Sequence, residues 1–239
     1  MPYKNKEAGI STYEMARKRR RAMLVIALIG VLIFILLLFT LNNTKALGIG
    51  GIGFIAILFL VQIFPDVLDS ILGKKAKEAR RAVRGADAEV RIDYLLGNLS
   101  EDFYILNDLA SPFGNIDHVA VRKDCFVFLI ETKSHHGRVS VKENSIYIND
   151  RLPEKDFIRQ TLKNAYWLRE RIAEITGVKA WISPIIVFTN AFVPYTNPVK
   201  GVRITNKKFL LDTINKTPER NPHDNTLWEK QNEILSKLL

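Results

Sequence analysis

The sequence contains a single cysteine, Cys125, among its 239 residues. One cysteine excludes a disulfide within the chain, and there is no Cys pair at the spacing of a structural zinc site. A chain without disulfides is suited to a reducing compartment. Because Cys125 precedes a run of apolar, strand-like residues, we predict that it is a small core or turn residue. Internal repeats and low-complexity tracts are also absent, which argues against a repeat architecture.

Positive charge is distributed unevenly along the chain, whose net charge is +10. Residues 1–84 carry 14 Lys and Arg against 5 Asp and Glu, a net of +9, whereas residues 85–239 carry 21 against 20, a net of +1. The basic excess therefore flanks the apolar runs near the N-terminus and indicates membrane topology. It is no evidence that the larger part binds nucleic acid, although a local basic face there stays open.

Two uncharged apolar runs, Met23–Leu41 and Ala46–Phe64, each contain 19 residues. As a helix, each would be about 28 Å long, close to the hydrocarbon thickness of a bilayer. Residues 42–45 connect them, which predicts a two-helix transmembrane hairpin over residues 23–64. A signal peptide is the alternative. It is disfavoured because the first run is longer than a usual signal core and no small-x-small cleavage site precedes the polar flank of the second run.

Basic residues flank this hairpin on both sides, at 17–21 and 74–84, whereas the connection carries only Lys45. The positive-inside rule then places both termini and the main domain in the cytoplasm, with the hairpin in the plasma membrane. The predicted segments are a basic cytoplasmic N-terminus (1–22), the hairpin (23–64), a charged helical stalk (65–84), a main domain starting at Gly85 (85–215) and a weakly structured C-terminal tail with one closing helix (216–239).

The glycine-rich stretch Gly48–Gly53 matches the G-x-G-x-x-G pattern of dinucleotide-binding loops. That interpretation requires a preceding strand and a soluble helix after it. Here the stretch lies inside the second apolar run. We therefore interpret these small residues as sites of close helix approach, with Ala46 and Gly50 at small-xxx-small spacing.

The main domain shows alternating helical and strand-like patterns that predict the order α-β-β-β-α-β, a mixed sheet flanked by helices. The predicted elements are a helix over 86–99, strands over 103–109, 115–121 and 126–133, a further hairpin over 139–148, a helix over 156–176, strands over 183–189 and 201–205, and a helix over 206–215. We expect His135–Gly137 to end the third strand and Glu143–Asn144 to form the turn of the further hairpin.

Charged residues interrupt two of the apolar strands. Asp117 lies in IDHVAV, and Glu131 and Lys133 lie at the end of FVFLIETK. Strand periodicity places Glu131 and Lys133 on one face. A chain reversal near Asp124 would set Asp117 opposite Glu131, with Cβ atoms roughly 5 Å apart. Two carboxylates this close repel unless a cation lies between them, and oxygen ligands favour Mg²⁺ or Mn²⁺. A structural ion pair of Lys133 with either carboxylate is the alternative.

These stretches resemble the nuclease-related domain (NERD) family, a branch of the PD-(D/E)xK nucleases. The similar segments are GADAEVRIDYLL, YILNDL, GNIDHVAV, VFLIETKSHHG and RQTLKNAYWL. The resemblance implies a restriction-endonuclease-like fold in which Asp117 and Glu131 bind the metal and Lys133 is the catalytic lysine. It implies that Glu89 completes the metal or water site, and that Gln160 corresponds to the helix Gln of the RecB-type motif. Ala88 departs from the family pattern, in which Gly often precedes this Glu.

The histidines near these residues have several interpretations. His118 should point away from Asp117, in a core or supporting role. His135 and His136 follow Lys133 and are interpreted as a polar strand end, with phosphate contact or auxiliary base as the alternative. His223, in the tail, is predicted to be solvated.

Together these features predict a membrane-anchored, Mg²⁺- or Mn²⁺-dependent hydrolase of phosphodiester bonds. Its expected substrate is DNA, although the residues leave RNA open. The alternative is a non-catalytic membrane adaptor or nucleic-acid-binding sensor that keeps the nuclease fold.

Overall fold

A computed structural model describes residues 1–43, 51–219 and 226–238 of the chain. The chain forms two compact units, one of residues Thr12–Val83 and one of residues Met1–Ser11 with Arg84–Leu239. Residues 44 and 45 of the hairpin connection, the start of the second apolar run with the Ala46–Gly50 pair, and His223 lie outside the described residues. Predictions that concern them stay predictions.

The unit Thr12–Val83 consists of parts of two long helices, α1 (Ile10–Asn42) and α2 (Gly51–Leu96). Both are long and apolar enough to cross a membrane. Their contacts are antiparallel: the rings of Phe34 and Phe64 stack with centroids 6.4 Å apart. A Cβ atom on Gly30 would lie 2.6 Å from Cδ2 of Leu68. The described close approach of the two helices is therefore at Gly30, where the backbone of α1 meets a leucine side chain.

Helix α2 also corrects two predicted boundaries. The stalk and the first domain helix, predicted as separate segments on either side of Gly85, form one uninterrupted helix to Leu96. Glycine inside a helix costs only about 1 kcal/mol relative to alanine, and the helix-forming residues on both sides outweigh that cost. The helix also ends earlier than predicted, because residues 97–99 form a turn.

The second unit is built on a mixed sheet of seven strands in the order β1-β2-β3-β4-β6-β7, with β5 pairing β4. The β2-β3-β4-β5 strands are successively antiparallel, whereas β4, β6 and β7 are parallel. The predicted α-β-β-β-α-β order within a mixed sheet is confirmed. The strands are β1 (Tyr3–Lys4), β2 (Phe103–Leu109), β3 (Ile116–Arg122), β4 (Phe126–Lys142), β5 (Ser145–Ile148), β6 (Trp181–Phe192) and β7 (Arg203–Asn206).

The β3–β4 hairpin has the predicted register. His118 pairs with Ile130 and Val121 with Val127, and Cys125 occupies the turn with a φ of 63°. The expectation that His135–Gly137 ends β4 is wrong, because the strand continues to Lys142. Between Lys133 and His136, β4 contains one more residue than the facing segment of β6. This bulge allows β4 to continue pairing with β6 beyond Lys133.

Helices cover both faces of the sheet. On one face lie α3 (Phe157–Thr176), α5 (Thr226–Glu229) and α6 (Gln231–Leu238), and on the other lie the end of α2 and α4 (Leu210–Asn215), which follows a 3-10 turn (Lys207–Phe209). Helix α3 begins and ends as predicted, with Asp156 as its N-cap and Gly177 in the left-handed conformation as its C-cap.

The closing helical segment predicted in the C-terminal tail is present as α5 and α6, and it is more firmly packed than the predicted weakly structured tail. Leu227 and Ile234 are buried in the core against α3 and the sheet. The amide of Leu227 also lies 3.3 Å from Sγ of Cys125, which is a buried turn residue as predicted. The tail packs because its apolar residues recur at a spacing that suits one helix face, a signal too short to stand out in the sequence.

The N-terminal segment also contributes a strand to the sheet. Strand β1 pairs in parallel with β2, and Nζ of Lys4 lies 2.9 Å from Oδ1 of Asp93 on α2. Ser11 donates hydrogen bonds to both carboxylate oxygens of Asp108. Residues 1–11 are therefore part of the same compact unit as residues 84–239. Domain preparations that begin at residue 85 would lack this strand.

Candidate functional site

The β3–β4 hairpin brings Asp117 and Glu131 together. Both residues lie one position beyond the His118–Ile130 pair, so the same register sets them side by side. The Oδ2 atom of Asp117 accepts a hydrogen bond of 2.6 Å from the amide of Thr132. The hairpin backbone therefore fixes Asp117 next to the strand segment that carries Glu131 and Lys133.

Glu131 and Lys133 form an ion pair in the interior. Lys133 Nζ lies 2.6 Å from Oε1 of Glu131, and the two side chains are 12% and 4% exposed. The ammonium also lies 4.8 Å from the ring centroid of Phe157, at the start of α3. The second oxygen of Glu131, Oε2, is buried and has no hydrogen-bond partner among the described residues. A buried carboxylate oxygen without a partner is costly, so it is a natural position for a ligand contact.

The pKa of Asp117 is determined by its burial and by the charged side chains near it. Burial is the largest cause that raises its pKa well above the ordinary value, and the charges of Glu131 and Glu89 raise it further. The Lys133 ammonium and the Thr132 amide act in the opposite direction. Carboxylates on α2 and β4 thus both influence the pKa of Asp117 on β3.

The chemistry of these donors fits a hard divalent cation such as Mg²⁺ or Mn²⁺. The unpartnered Oε2 of Glu131 and the mutual repulsion around Asp117 are both relieved by added positive charge. Among the described residues, however, no group of three or more His, Cys, Asp or Glu side chains is gathered closely enough to hold a metal ion. Glu131 is instead engaged by Lys133. The donor set fits the ion, but the three carboxylates are not assembled around a common point.

Gln160 lies on α3 beside the loop that precedes Asp117. Its Nε2 atom is 3.7 Å from the position that a Cβ on Gly114 would occupy. One turn later, Oδ1 of the buried Asn164 is 2.7 Å from the Ser111 hydroxyl, which is also 2.6 Å from the Gly114 carbonyl. The structure thus brings the predicted Gln160 to the β2–β3 loop, together with Asn164, which fixes the conformation of that loop through Ser111.

The histidines occupy two different environments. His118 is fully buried, its Nδ1 lies 2.9 Å from Oδ1 of Asn107, and burial lowers its pKa to about 4. This confirms a core position facing away from Asp117. His135 is exposed at the residue level, and its ring centroid lies 5.4 Å from that of Phe157. Lys133 and His135 therefore share one aromatic neighbour.

Sequence reasoning missed Phe157 and Thr132. Phe157 contacts Lys133 from a helix 24 positions away in the chain, and an aromatic residue at a helix start carries no signal of that contact. Thr132 acts through its backbone amide, which every residue except proline has.

Residues 84–189 match the family model described as NERD, the nuclease-related domain. The matched stretch contains Glu89, Asp117, Glu131, Lys133 and Gln160. No curated protein and no solved structure matches the chain. The family description suggests a nuclease-like function and interaction with nucleic acid. Residues 84–189 of this chain are a nuclease-related domain.

Proposed function

We propose that this protein hydrolyses phosphodiester bonds of nucleic acid in a metal-dependent reaction, at a site built from Asp117, Glu131 and Lys133. The observation that carries the proposal is that Asp117 of β3 lies beside Glu131 and Lys133 of β4, at the end of the hairpin away from its turn. Two carboxylates and one lysine meet there in a largely buried position. Such a cluster is costly to bury unless a ligand offsets its charge. The nuclease-related family match over these residues supports the same reading.

Asp117, Glu131 and Glu89 are the proposed ligands of Mg²⁺ or Mn²⁺. When bound, the ion would polarise the scissile phosphodiester and make a bound water more acidic. Asp117 is held by the Thr132 amide, which leaves its other oxygen, Oδ1, available for the ion. Oε2 of Glu131 is the matching donor from the neighbouring strand.

Lys133 is the proposed group that orients the attacking water and offsets negative charge on the phosphoryl oxygens. Its contact with Oε1 of Glu131 and its position over Phe157 restrict the ammonium to this corner of the site. Gln160 shapes the same end of the domain through the β2–β3 loop. A fixed ammonium in a dry site stabilises developing charge more strongly than a mobile surface lysine would.

The proposed location is the plasma membrane, with both termini and the nuclease-related domain in the cytoplasm. Helices α1 and α2 support it by length and composition, and the basic flanks support the orientation. A reporter enzyme that is active only outside the cytoplasm, fused after Leu239, should be inactive, whereas a fusion within residues 42–45 should be active. Activity of the C-terminal fusion would contradict the proposed orientation.

The nuclease proposal is tested with the full chain in detergent or nanodiscs, because residues 1–11 belong to the same compact unit as residues 84–239. End-labelled single- and double-stranded DNA and RNA are incubated with Mg²⁺, Mn²⁺ or EDTA. We expect cleavage with at least one metal, none in EDTA, and none by the Lys133→Met variant. Lys142→Met is the matched control, since Lys142 lies on the same strand with an exposed side chain.

No cleavage of any substrate with either metal would overturn the proposal. So would cleavage by Lys133→Met at the rate of the unchanged chain, or full activity in EDTA. DNA is the substrate expected to be cleaved, and cleavage of RNA alone would change the substrate while keeping the site.

A second candidate is a membrane-bound sensor or adaptor that binds nucleic acid without cleaving it. The Lys133–Glu131 ion pair favours it, together with the lack of a gathered metal-ligand cluster in the described part of the chain. Retained nucleic-acid binding with no cleavage under all the conditions above would select this function.

A further inference from the structure

A groove of about 770 Å³ opens beside the ends of β6 and β7. One wall is formed by the segment that follows β6, and the other by β7, the 3-10 turn and α4. The residues that line it fall within 192–198 and 203–216. The groove lies entirely within the unit that carries the nuclease-related domain, and beyond the matched residues 84–189.

The groove lies at the same edge of the sheet as the proposed catalytic cluster. In the parallel part of the sheet, Lys133 on β4 pairs with Phe188 on β6, which pairs with Asn206 on β7. Phe192, the first residue of the groove, follows Phe188 by four positions, roughly 13 Å along the strand. Lys133 lies on the face of the sheet that α3 covers, whereas α4, on the other face, forms one wall of the groove. A chain bound at Lys133 would therefore reach the groove by passing around the ends of β6 and β7.

Three aromatic side chains that line the groove are largely exposed to solvent. Phe192, Tyr195 and Phe209 are 60%, 95% and 57% exposed. Scattered exposed aromatics are ordinary, but several around one concave surface mark a binding site. Flat, exposed rings offer faces on which other planar groups can stack.

The chain segment that forms the groove is basic. Residues 192–216 contain five Lys and Arg against one Asp, a net charge of +4. The rest of residues 85–239 contains 16 Lys and Arg against 19 Asp and Glu, a net of −3. The near-neutral total of the larger unit thus hides a local basic segment. Of its basic residues, Arg203 and Lys216 line the groove, where Lys216 Nζ lies 3.0 Å from Oδ2 of Asp212. Lys200, Lys207 and Lys208 lie in the same segment, and Lys208 directly precedes the lining residue Phe209.

The groove is held in place by contacts of its own framework. The Nδ2 group of Asn206 donates to the Ala191 carbonyl at 2.6 Å, which joins the ends of β7 and β6. The Oδ1 atom of Asn206 accepts from the Lys208 amide and caps the 3-10 turn that presents Lys207, Lys208 and Phe209. Pro194 and Pro198 restrict the backbone on either side of Tyr195. A pre-ordered surface loses less entropy when a ligand binds.

Basic side chains between exposed aromatic rings match the chemistry of an unpaired nucleic-acid strand. Lysine and arginine pair with phosphates, and each aromatic ring can stack on one base. The guanidinium of Arg138 lies 5.4 Å from the ring centroid of Phe192, so charge and aromatic surface are already combined at the end of the groove nearest β4. Bases inside a duplex stack on each other and cannot cover these rings.

We propose that this groove binds a single-stranded segment of the nucleic-acid substrate and leads it to the Lys133 site. The inference rests on the proposed function for the nature of its ligand. It adds that the enzyme acts on single strands or on duplex ends with a single-stranded tail. Phe192, Tyr195 and Phe209 are the stacking residues, and Lys207 and Lys208 contact phosphates.

The test measures binding in the absence of cleavage. Fluorescein-labelled oligo(dT) is titrated with the full chain in nanodiscs, in EDTA, and followed by fluorescence anisotropy. We expect the Tyr195→Ala/Phe209→Ala variant to bind about tenfold or more weakly, since stacking on one aromatic is worth about tenfold or more in affinity. Tyr166→Ala is the matched control, because Tyr166 is 64% exposed on α3 and does not line the groove.

The charge contribution is tested by reversing one lysine. Lys208→Glu should weaken oligo(dT) binding and lower its dependence on salt concentration. Lys179→Glu should leave both unchanged, since Lys179 precedes β6 at the opposite end of that strand. A blunt oligo(dA)·oligo(dT) duplex should bind equally to the unchanged chain and the aromatic variant.

The outcomes separate this inference from the nuclease proposal. Equal oligo(dT) affinity of the aromatic variant and the unchanged chain would overturn the groove, as would no binding by the unchanged chain, even if duplex DNA were cleaved. If oligo(dT) binding depends on Tyr195 and Phe209 but no substrate is cleaved, the result would support the proposed binding groove and contradict the nuclease proposal.

Other occupants of the groove are distinguished by crosslinking. A photoreactive benzophenone side chain at position 195 should crosslink to oligo(dT) added to the nanodiscs. Crosslinks to phospholipid or to a second copy of the chain in place of the oligonucleotide would overturn the proposal.

Discussion

Lys133 Nζ lies 2.6 Å from Oε1 of Glu131, while Oε2 of the same carboxylate is buried without a partner among the described residues. One side of Glu131 is thus compensated by the chain itself and the other is not. The carboxylate therefore has two distinct roles, as the counter-charge of Lys133 and as a proposed donor to a cation. These roles can be separated experimentally, because one is a matter of stability and the other of catalysis.

Lys133→Met should lower both the free energy of unfolding and the activity. Removing one partner of a buried ion pair leaves an uncompensated charge, which costs about 3 kcal/mol or more. The double variant Lys133→Met/Glu131→Gln should regain most of that stability, because the Glu131 charge that the single change leaves unpaired is also removed, but none of the activity. Thermal unfolding followed by tryptophan fluorescence, and cleavage of labelled DNA, are the two measurements.

Lys142→Met serves as the stability control, since the Lys142–Asp150 pair is exposed and contributes within about 1 kcal/mol. Equal stability of the single and double variants would show that Glu131 does not need its lysine. The ion-pair account would then be wrong, whatever the activity.

Asp117→Asn should stabilise the fold at neutral pH while it abolishes cleavage. The pKa of Asp117 is raised in the folded state, chiefly by burial and then by Glu131 and Glu89, so the folded state binds this proton more tightly than the unfolded state. This contribution to stability is present below the ordinary pKa of about 4 and is lost as pH rises through the raised pKa. The advantage of the Asn variant should therefore grow from pH 4 upwards. Denaturant unfolding across pH measures it.

Asp150→Asn is the comparison for this experiment, because the Asp150 side chain is 81% exposed and its replacement should leave the pH profile unchanged. Added Mg²⁺ should stabilise the unchanged chain more than the Asp117→Asn variant, since binding to the folded state adds stability in proportion to RT ln(1 + [L]/Kd). A parallel pH profile for the unchanged chain and Asp117→Asn would contradict the electrostatic picture of the site.

The relative positions of Asp117, Glu131 and Lys133 could be predicted from the sequence because they depend on local chain geometry. The reversal near Asp124 fixes the hairpin register, and that register alone sets Asp117 beside Glu131. The same strand period places Lys133 on the face of Glu131. These relationships involve residues close in sequence, and the pairing rules of antiparallel strands determine them.

The parts that were missed depend on contacts distant in sequence. Strand β1 has two residues and is held by side chains such as Lys4 on Asp93, 89 positions away. No local pattern encodes such a contact. The continuation of β4 past Lys133 needs the bulge before His136, and Gly137, whose φ is 101°, makes room for the Asn149 side chain beyond it. Glycine and histidine at this point indicated a strand end, but tertiary pairing with β6 extended the strand.

His118 should make the fold less stable as pH falls below neutral. Burial lowers its pKa from 6.5 to about 4, so the unfolded state binds this proton more tightly than the folded state. Its contribution is present above the ordinary pKa and decreases as pH drops from 6.5 towards 4, by about 3 kcal/mol in total. His118→Gln keeps a donor towards Asn107 and does not titrate, so its unfolding free energy should lose this part of the pH dependence.

The exposed His136 provides the control, since His136→Gln should retain the full pH dependence between 6.5 and 4. Asp117 and His118 are adjacent in sequence but act in opposite directions: one disfavours the fold as pH rises, and the other as pH falls. If His118→Gln kept the slope of the unchanged chain in this window, another group would be responsible.

Gly30→Leu should weaken the pairing of α1 and α2 within the unit Thr12–Val83. A side chain at this position would overlap the Leu68 side chain, whose Cδ2 already lies 2.6 Å from the Cβ position. Overfilling a packed contact typically costs about 1–3 kcal/mol. With Phe34→Cys and Phe64→Cys introduced as reporters, a short thiol crosslinker should join the helices several-fold less efficiently in the Gly30→Leu chain.

The matched control for the hairpin is Gly73→Leu on α2. Both substitutions replace a helical glycine and raise helix propensity equally, but nothing that the structure describes lies within 4 Å of a Cβ at Gly73. Its crosslinking yield should equal that of the unchanged chain. If Gly30→Leu and Gly73→Leu behaved alike, close packing at Gly30 would not be what holds the two helices together, and the stacked Phe34 and Phe64 rings would be the next contact to test.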